Sequence, residues 1–317
     1  MRITDAHTHV QMNPQATRTW IDDLNRDTSA DLTFSIVDDG TVPCVQDSME
    51  RVGVERTLLV PWIAARQIYT RRLADSPTAD PELVLSTLRA EWEAYNSWGT
   101  ETASRFPGQF YTVTAVDPVL FGAEWTSAVF KQNRDRGSLG LKITPMFIGR
   151  RVNDPDLEIL WQLAHEYSVP ILSMSTAALD PGSLAAIGLN ESDADVNHPD
   201  YFEDGLRSYP NARAVLAHMG YFGAEDRVAR LTSLYPNVYA DTTEWIELVG
   251  AQGGITPQEA ANQIRAIGTD RVLFGSNYPL FPQSEILEKF LSIPLTSEEQ
   301  EQVLYLNFDA AYAPATT

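Results

Sequence analysis

Near the start of the chain, Asp5-Ala6-His7-Thr8-His9 places two imidazoles at positions i and i+2. Such positions share one face of a β-strand. His7 and His9 could therefore bind a single divalent ion, or stand as two polar groups at a strand end. A third imidazole, His218, closes the apolar run Ala214-Val215-Leu216-Ala217 and is followed by Met219-Gly220. Another buried run, Val272-Leu273-Phe274, enters a Gly275-Ser276 turn and presents Asn277. Imidazoles titrate in the range that general acid–base work needs. Lys142 ends the run Leu139-Gly140-Leu141, where an ammonium could hold a substrate carboxylate as a point charge or pair with a neighbouring acid. Trp62, Glu244 and Trp245 each follow a strand-like run and are candidate pocket walls. His165, near a helix C-terminus, and His198, before a helix, read as structural. Cys44 has no evident activating partner. No Walker motif or dinucleotide fingerprint is visible.

The elements that must position these residues alternate. Strand-like runs fall at 2–4, 56–61, 110–115, 139–143, 170–174, 214–217, 238–240 and 272–274. Helix-periodic stretches at 80–105, 154–167, 199–208, 224–235, 256–267 and 296–311 lie between or after them. Asp154-Pro155 and Thr256-Pro257 supply an N-cap followed by Pro at the first helical position. Eight runs joined by helices predict an α/β fold, a (β/α)8 TIM barrel in one domain over residues 1–317. Two insertions, about 11–50 after the first strand and about 175–198 after the fifth, fall where such barrels carry their sites, and both are candidate lids.

The bulk numbers exclude several classes. The 317 residues suit one barrel. Against 23 basic residues stand 43 acidic ones, a net charge of -20 that repels nucleic acid and anionic membranes. The single cysteine forbids an intramolecular disulfide and a Cys-rich zinc site. No signal-like or membrane-spanning apolar window is present, so the expected location is the cytoplasm. The expected partner is a small molecule, with a homodimer as a further option.

Together the motifs resemble the amidohydrolase-related (amidohydrolase-2) family, in its branch similar to aminocarboxymuconate semialdehyde decarboxylase. His7 and His9 match the family's Asp-x-His-x-His, and His218 matches its sixth-strand His-x-Gly. Residues 238–241 are similar to its seventh strand, and 304–307 to its final helix. The resemblance implies a metal centre at the strand ends and hydrolysis or decarboxylation as the reaction. Two positions depart from the pattern. Met174 stands where the fifth-strand ligand His belongs, and Asn277 where the eighth strand has Asp. Thioether sulfur is soft, and an amide oxygen is a neutral, weaker ligand. His7 and His9 are thus the metal candidates, His218, Asn277 and Lys142 the catalytic ones, and Trp62, Met174, Glu244 and Trp245 the substrate contacts. The cofactor is one divalent metal, zinc first, or none.

Three functions remain open on this reading. The first is a hydrolase or decarboxylase for a small polar, carboxylated compound, with a degenerate metal site that recruits His218, Asp241 or Glu244. The second is a metal-independent lyase, isomerase or cyclase using His7, His9 and His218. The third is a catalytically silent binding barrel. An open polar pocket centred on the imidazoles favours an enzyme, whereas a mouth filled by Trp62, Met174 and the insertions favours the silent barrel.

Overall fold

The computed structural model describes residues 1–28, 33–62, 64–221 and 223–313. Its strands are β1 (Thr4–Thr8), β2 (Arg56–Leu59), β3 (Phe110–Thr112), β4 (Thr114–Ala115), β5 (Leu141–Ile143), β6 (Pro170–Thr176), β7 (Arg213–Tyr221), β8 (Val238–Asp241) and β9 (Val272–Leu273). Every pairing is parallel, in the orders β1-β2-β3 and β4-β5-β6-β7-β8-β9. β3 and β4 are one expected strand interrupted at Val113. Leu139 N donates to Thr112 O and Thr114 N to Gly140 O, both at 2.8 Å, so the backbone ladder continues across the break. On the other side of the ring, Ala6 N donates to Phe274 O at 2.7 Å and His9 N to Tyr278 O at 2.6 Å. Nine segments thus occupy eight strand positions around a TIM barrel.

Many connecting helices start in the same way. Asn13, Asp80, Asp117, Asp154 and Thr256 each accept a backbone N–H from the first turn, with Pro at the first or second helical position. The cap satisfies donors that a helix start leaves free, and Pro has no N–H to satisfy. Inside the ring, Leu58, Val60, Val113, Leu172, Val215 and Leu273 share one cluster with Phe308 and Tyr312 of the C-terminal helix Asn307–Tyr312. Outside it, apolar faces of the strands and helices share one large core.

Several boundaries differ from expectation. β1 runs on past His7 to Thr8 instead of stopping at residue 4, because its partners in β2 and at 274–278 continue alongside it. The stretch 296–311 divides into Ser297–Glu301, a π-turn at Gln302–Leu306 and Asn307–Tyr312. The first insertion holds two helices, Pro14–Arg26 and Val42–Val52, and the second holds the short helix Pro181–Ala186. No described helix is long and apolar enough to cross a membrane.

Candidate functional site

The C-terminal strand ends bring His7, His9, Lys142, Met174 and His218 to one small cavity, together with Trp62, Thr144 and Glu244. The His7 ring centroid lies 5.0 Å from that of His9 and 5.8 Å from that of His218. All three imidazoles are buried. Each has Nδ1 against an acceptor: His7 on Asp241 Oδ2 at 2.8 Å, His9 on Val60 O at 2.8 Å, and His218 on Thr243 O at 3.1 Å. A carbonyl or carboxylate oxygen cannot donate, so Nδ1 carries the proton, and in the neutral ring Nε2 holds the lone pair. Burial lowers the basicity of His7 and lowers that of His9 further, which keeps both neutral.

Asp241 organises one side of the site. Its Oδ1 accepts the backbone N–H of His218 and of Thr243, each at 3.1 Å, and also the Thr243 hydroxyl. Burial would raise its pKa, but the adjacent His7 and these donors hold the carboxyl well below the usual range. Lys142 is buried, and its pKa is pushed down to about 8 by that burial, against the attraction of Asp241 and Glu244. At neutral pH it is still mainly an ammonium.

The backbone is strained where these side chains leave the strands. His218, Met219, Glu244 and Asn277 have φ of 68°, 51°, 57° and 62°. The left-handed region is costly for residues other than Gly, Asn and Asp, and such strain concentrates at functional sites. Gly275 answers a separate demand, since a Cβ there would come within 2.9 Å of His7 Cβ.

Asn277 is fully buried behind Glu244 and does not line the cavity. Its Nδ2 donates to Glu244 Oε1 at 3.3 Å, while its Oδ1 has no hydrogen-bond partner. Glu244 Oε2 lies 3.8 Å from His218 Nδ1. The carboxylate at this side of the mouth therefore comes from the segment after β8, not from position 277. Trp245, expected at the mouth, is instead turned into the core, where its Nε1 donates to Gln263. Its neighbour Glu244 takes a positive φ in a tight turn closed by Trp245 N donating to Thr243 O, and the chain then enters the short 3-10 helix Trp245–Leu248, which directs the indole inward. His165 accepts from Asn211 N and His198 from Asp200 N, both away from the cavity.

Two contributors were not singled out from sequence. Thr144 lies two residues after Lys142, where strand alternation would have placed it on the same face. Trp20, from the first insertion, packs 5.6 Å from the His9 ring and 5.9 Å from Trp62 by centroid, and no local pattern announces it.

The sequence profile of the amidohydrolase family matches residues 4–312. The chain belongs to the amidohydrolase family. Among solved structures, this family member is similar to an uncharacterised TIM-barrel protein from Bordetella bronchiseptica, at 17% identity and TM-score 0.70 over 99% of both chains. It is also similar to a 2,6-dihydroxybenzoate decarboxylase from Rhizobium, at 16% identity and TM-score 0.66 over 98% of both. A third is a dihydroxybenzoic acid decarboxylase from Polaromonas with bound manganese and 2-nitroresorcinol, at 16% identity and TM-score 0.63 over 98% of this chain and 96% of that one. These identities establish a shared fold. Among curated proteins none matches this chain.

The donor set decides how far a metal centre carries over. The neutral imidazoles of His7 and His9, each oriented by an acceptor on Nδ1, suit metal ligation. Among the described residues, however, no three His, Cys, Asp or Glu side chains are arranged to hold an ion. Asn277 could add only a neutral oxygen, and Met174 only a thioether. A catalytic zinc keeps three protein ligands. The residues present fall short of that set.

Proposed function

We propose that this amidohydrolase acts on a small carboxylated substrate by decarboxylation or hydrolysis, with proton transfer carried by its own side chains. The observation behind this reading is that a buried ammonium, a carboxylate and three Nδ1-protonated imidazoles surround one cavity at the C-terminal face of the barrel. Lys142 binds the substrate carboxylate. Glu244 and His218 exchange the proton, with Asn277 fixing the orientation of Glu244 through its amide N–H. His7 and His9 offer Nε2 lone pairs to a substrate hydroxyl or to water. In decarboxylation, a proton adds to the carbon bearing the carboxylate. The C–C bond to the carboxylate then breaks, and its electron pair returns to the carbon skeleton as carbon dioxide leaves. The similar decarboxylase from Rhizobium, named for an aromatic acid, supports that choice of substrate class.

The silent-barrel reading keeps one specific support. The cavity is only about 20 Å³, room for one water, and Trp62 and Met174 help to enclose it. The test is a panel of hydroxylated benzoates, aryl esters and lactones, assayed for carbon dioxide release and for hydrolysis, with manganese added and with chelator. The expected result is turnover of a carboxylated compound that is lost in Lys142→Met and His218→Asn. A protein that turns over none of the panel and binds no carboxylate leaves only the silent barrel.

A further inference from the structure

A second, larger cavity of about 370 Å³ adjoins the histidine cavity. It opens between the insertion helix Pro14–Arg26 and the helices Ala65–Asp75 and Pro81–Arg105. Trp20, Trp62, Trp92, Tyr95, Phe147 and Leu88 supply most of its apolar wall. Trp62 and Phe147 stack with centroids 5.7 Å apart. Trp62 also lines the histidine cavity, and its ring lies 5.2 Å from that of His9. One indole thus separates the two spaces.

The polar atoms of two of its aromatic residues are already committed. Trp92 Nε1 donates to Ala115 O at 2.8 Å, and Tyr95 OH donates to Val10 O at 3.1 Å. Burial pushes the Tyr95 hydroxyl up, so it stays protonated and remains that donor. Both residues present ring surface to the cavity. The nearby carboxylates are matched by guanidiniums: Arg72 holds Glu91 at 2.7 Å, Arg71 holds Asp23 at 2.7 Å and Asp27 at 2.5 Å, and Arg26 lies 3.7 Å from Asp23. The walls therefore favour a flat, uncharged, apolar group, while the ammonium lies on the other side of Trp62. Binding sites of this size are built largely from apolar and aromatic side chains.

We propose that this aromatic cavity binds an uncharged aromatic portion of the substrate whose carboxylate is held at Lys142, with Trp62 as the movable partition between the two. The inference rests on the reading of Lys142 as the carboxylate site, and it makes the substrate bipartite, a polar head on an aromatic tail, instead of small and polar throughout. The histidine cavity, with room for one water, cannot take such a molecule until Trp62 shifts.

The test uses three probes on the full chain: 4-phenylphenol for the tail alone, benzoate for the head alone, and biphenyl-4-carboxylate for both. Binding is read by calorimetry and by tryptophan fluorescence, since Trp20, Trp62 and Trp92 all face the cavity. Ala16→Phe and Thr19→Trp fill it from the accessible side of the insertion helix, and thermal unfolding confirms that each variant folds. In the natural protein, 4-phenylphenol should bind saturably, and biphenyl-4-carboxylate should bind about tenfold or more tighter than benzoate, as expected for burying a second ring. Both effects should disappear in the filled variants. Lys142→Met should leave 4-phenylphenol binding intact and abolish that of benzoate. Failure of 4-phenylphenol to bind, or equal binding to both filled variants, overturns the aromatic site. Benzoate binding that survives Lys142→Met overturns the head reading instead, so the two failures are distinct.

Discussion

The two ends of the barrel solve opposite problems. At the closed end, Arg56 is almost fully buried yet well served. Its Nε donates to Thr4 Oγ1 at 2.8 Å, Nη2 to Tyr305 O at 2.9 Å and Nη1 to Asp309 at 2.7 Å, and its guanidinium lies 3.8 Å over the Tyr305 ring. At the open end, four residues other than glycine take positive φ, Asn277 Oδ1 lacks a partner, and a lysine is buried beside neutral imidazoles. Regular, satisfied packing marks the end that stabilises, and tolerated strain marks the end that does chemistry. Stability and activity should therefore respond in opposite directions to substitutions at the two ends.

His218→Asn gives the largest contrast. Asparagine adopts positive φ more readily than histidine, so thermal unfolding should show no loss of stability and a small gain. Turnover of a carboxylated substrate should fall about 100-fold or more with the loss of the imidazole. A large drop in melting temperature would break the contrast. Arg56→Met is its counterpart. Leaving the Thr4, Tyr305 and Asp309 partners unserved should cost about 3 kcal/mol in denaturant unfolding, with turnover per folded molecule unchanged.

Asp117 sharpens the comparison through pH. It is buried at the C-terminal side of β4, caps Val119 N and Leu120 N, and has its pKa raised to about 6 by burial. A raised folded-state pKa means that the protonated form is preferred in the fold. The contribution is fully present below the unfolded value of about 3.8 and is lost as pH rises through about 6. Asp117→Asn keeps the capping oxygen and removes the titration. Relative to the natural protein it should gain about 1–2 kcal/mol between pH 4 and pH 7, read from unfolding at the two pH values. An advantage that does not change with pH would count against this account. The smallest effect belongs to Asp309→Ala: its carboxylate is 60% exposed, so loss of the ion pair to Arg56 should cost about 0.5 kcal/mol or less by denaturant unfolding.

Much of the framework was legible because it rests on local rules. Apolar runs of strand length with helical segments between them mark the ring, and Asn, Asp or Thr before Pro marks helix starts. The histidines could be found because each closes an apolar run, as His218 does in β7. The insertion helices were harder: Pro14–Arg26 and Val42–Val52 bury as large a share of their residues as barrel helices do, but their apolar faces match a surface made by distant parts of the chain. Trp245 and Glu244 could not be told apart as wall candidates because they are adjacent. Only the tight, positive-φ turn at Glu244 sends one side chain to the cavity and the other to the core.

Sequence alone therefore determined the fold and the imidazoles at the strand ends, because strand alternation and apolar periodicity act over a few residues, while the departures at Met174 and Asn277 follow from the resemblance to the family. Tertiary structure decided which carboxylate faces the cavity, how the histidines are oriented and where an aromatic cavity lies. His7 meets Asp241 across 234 residues of chain, and Trp20 meets Trp62 only once the first insertion folds over the barrel. Such contacts depend on loop backbone angles and on packing between separate elements, which no local pattern encodes.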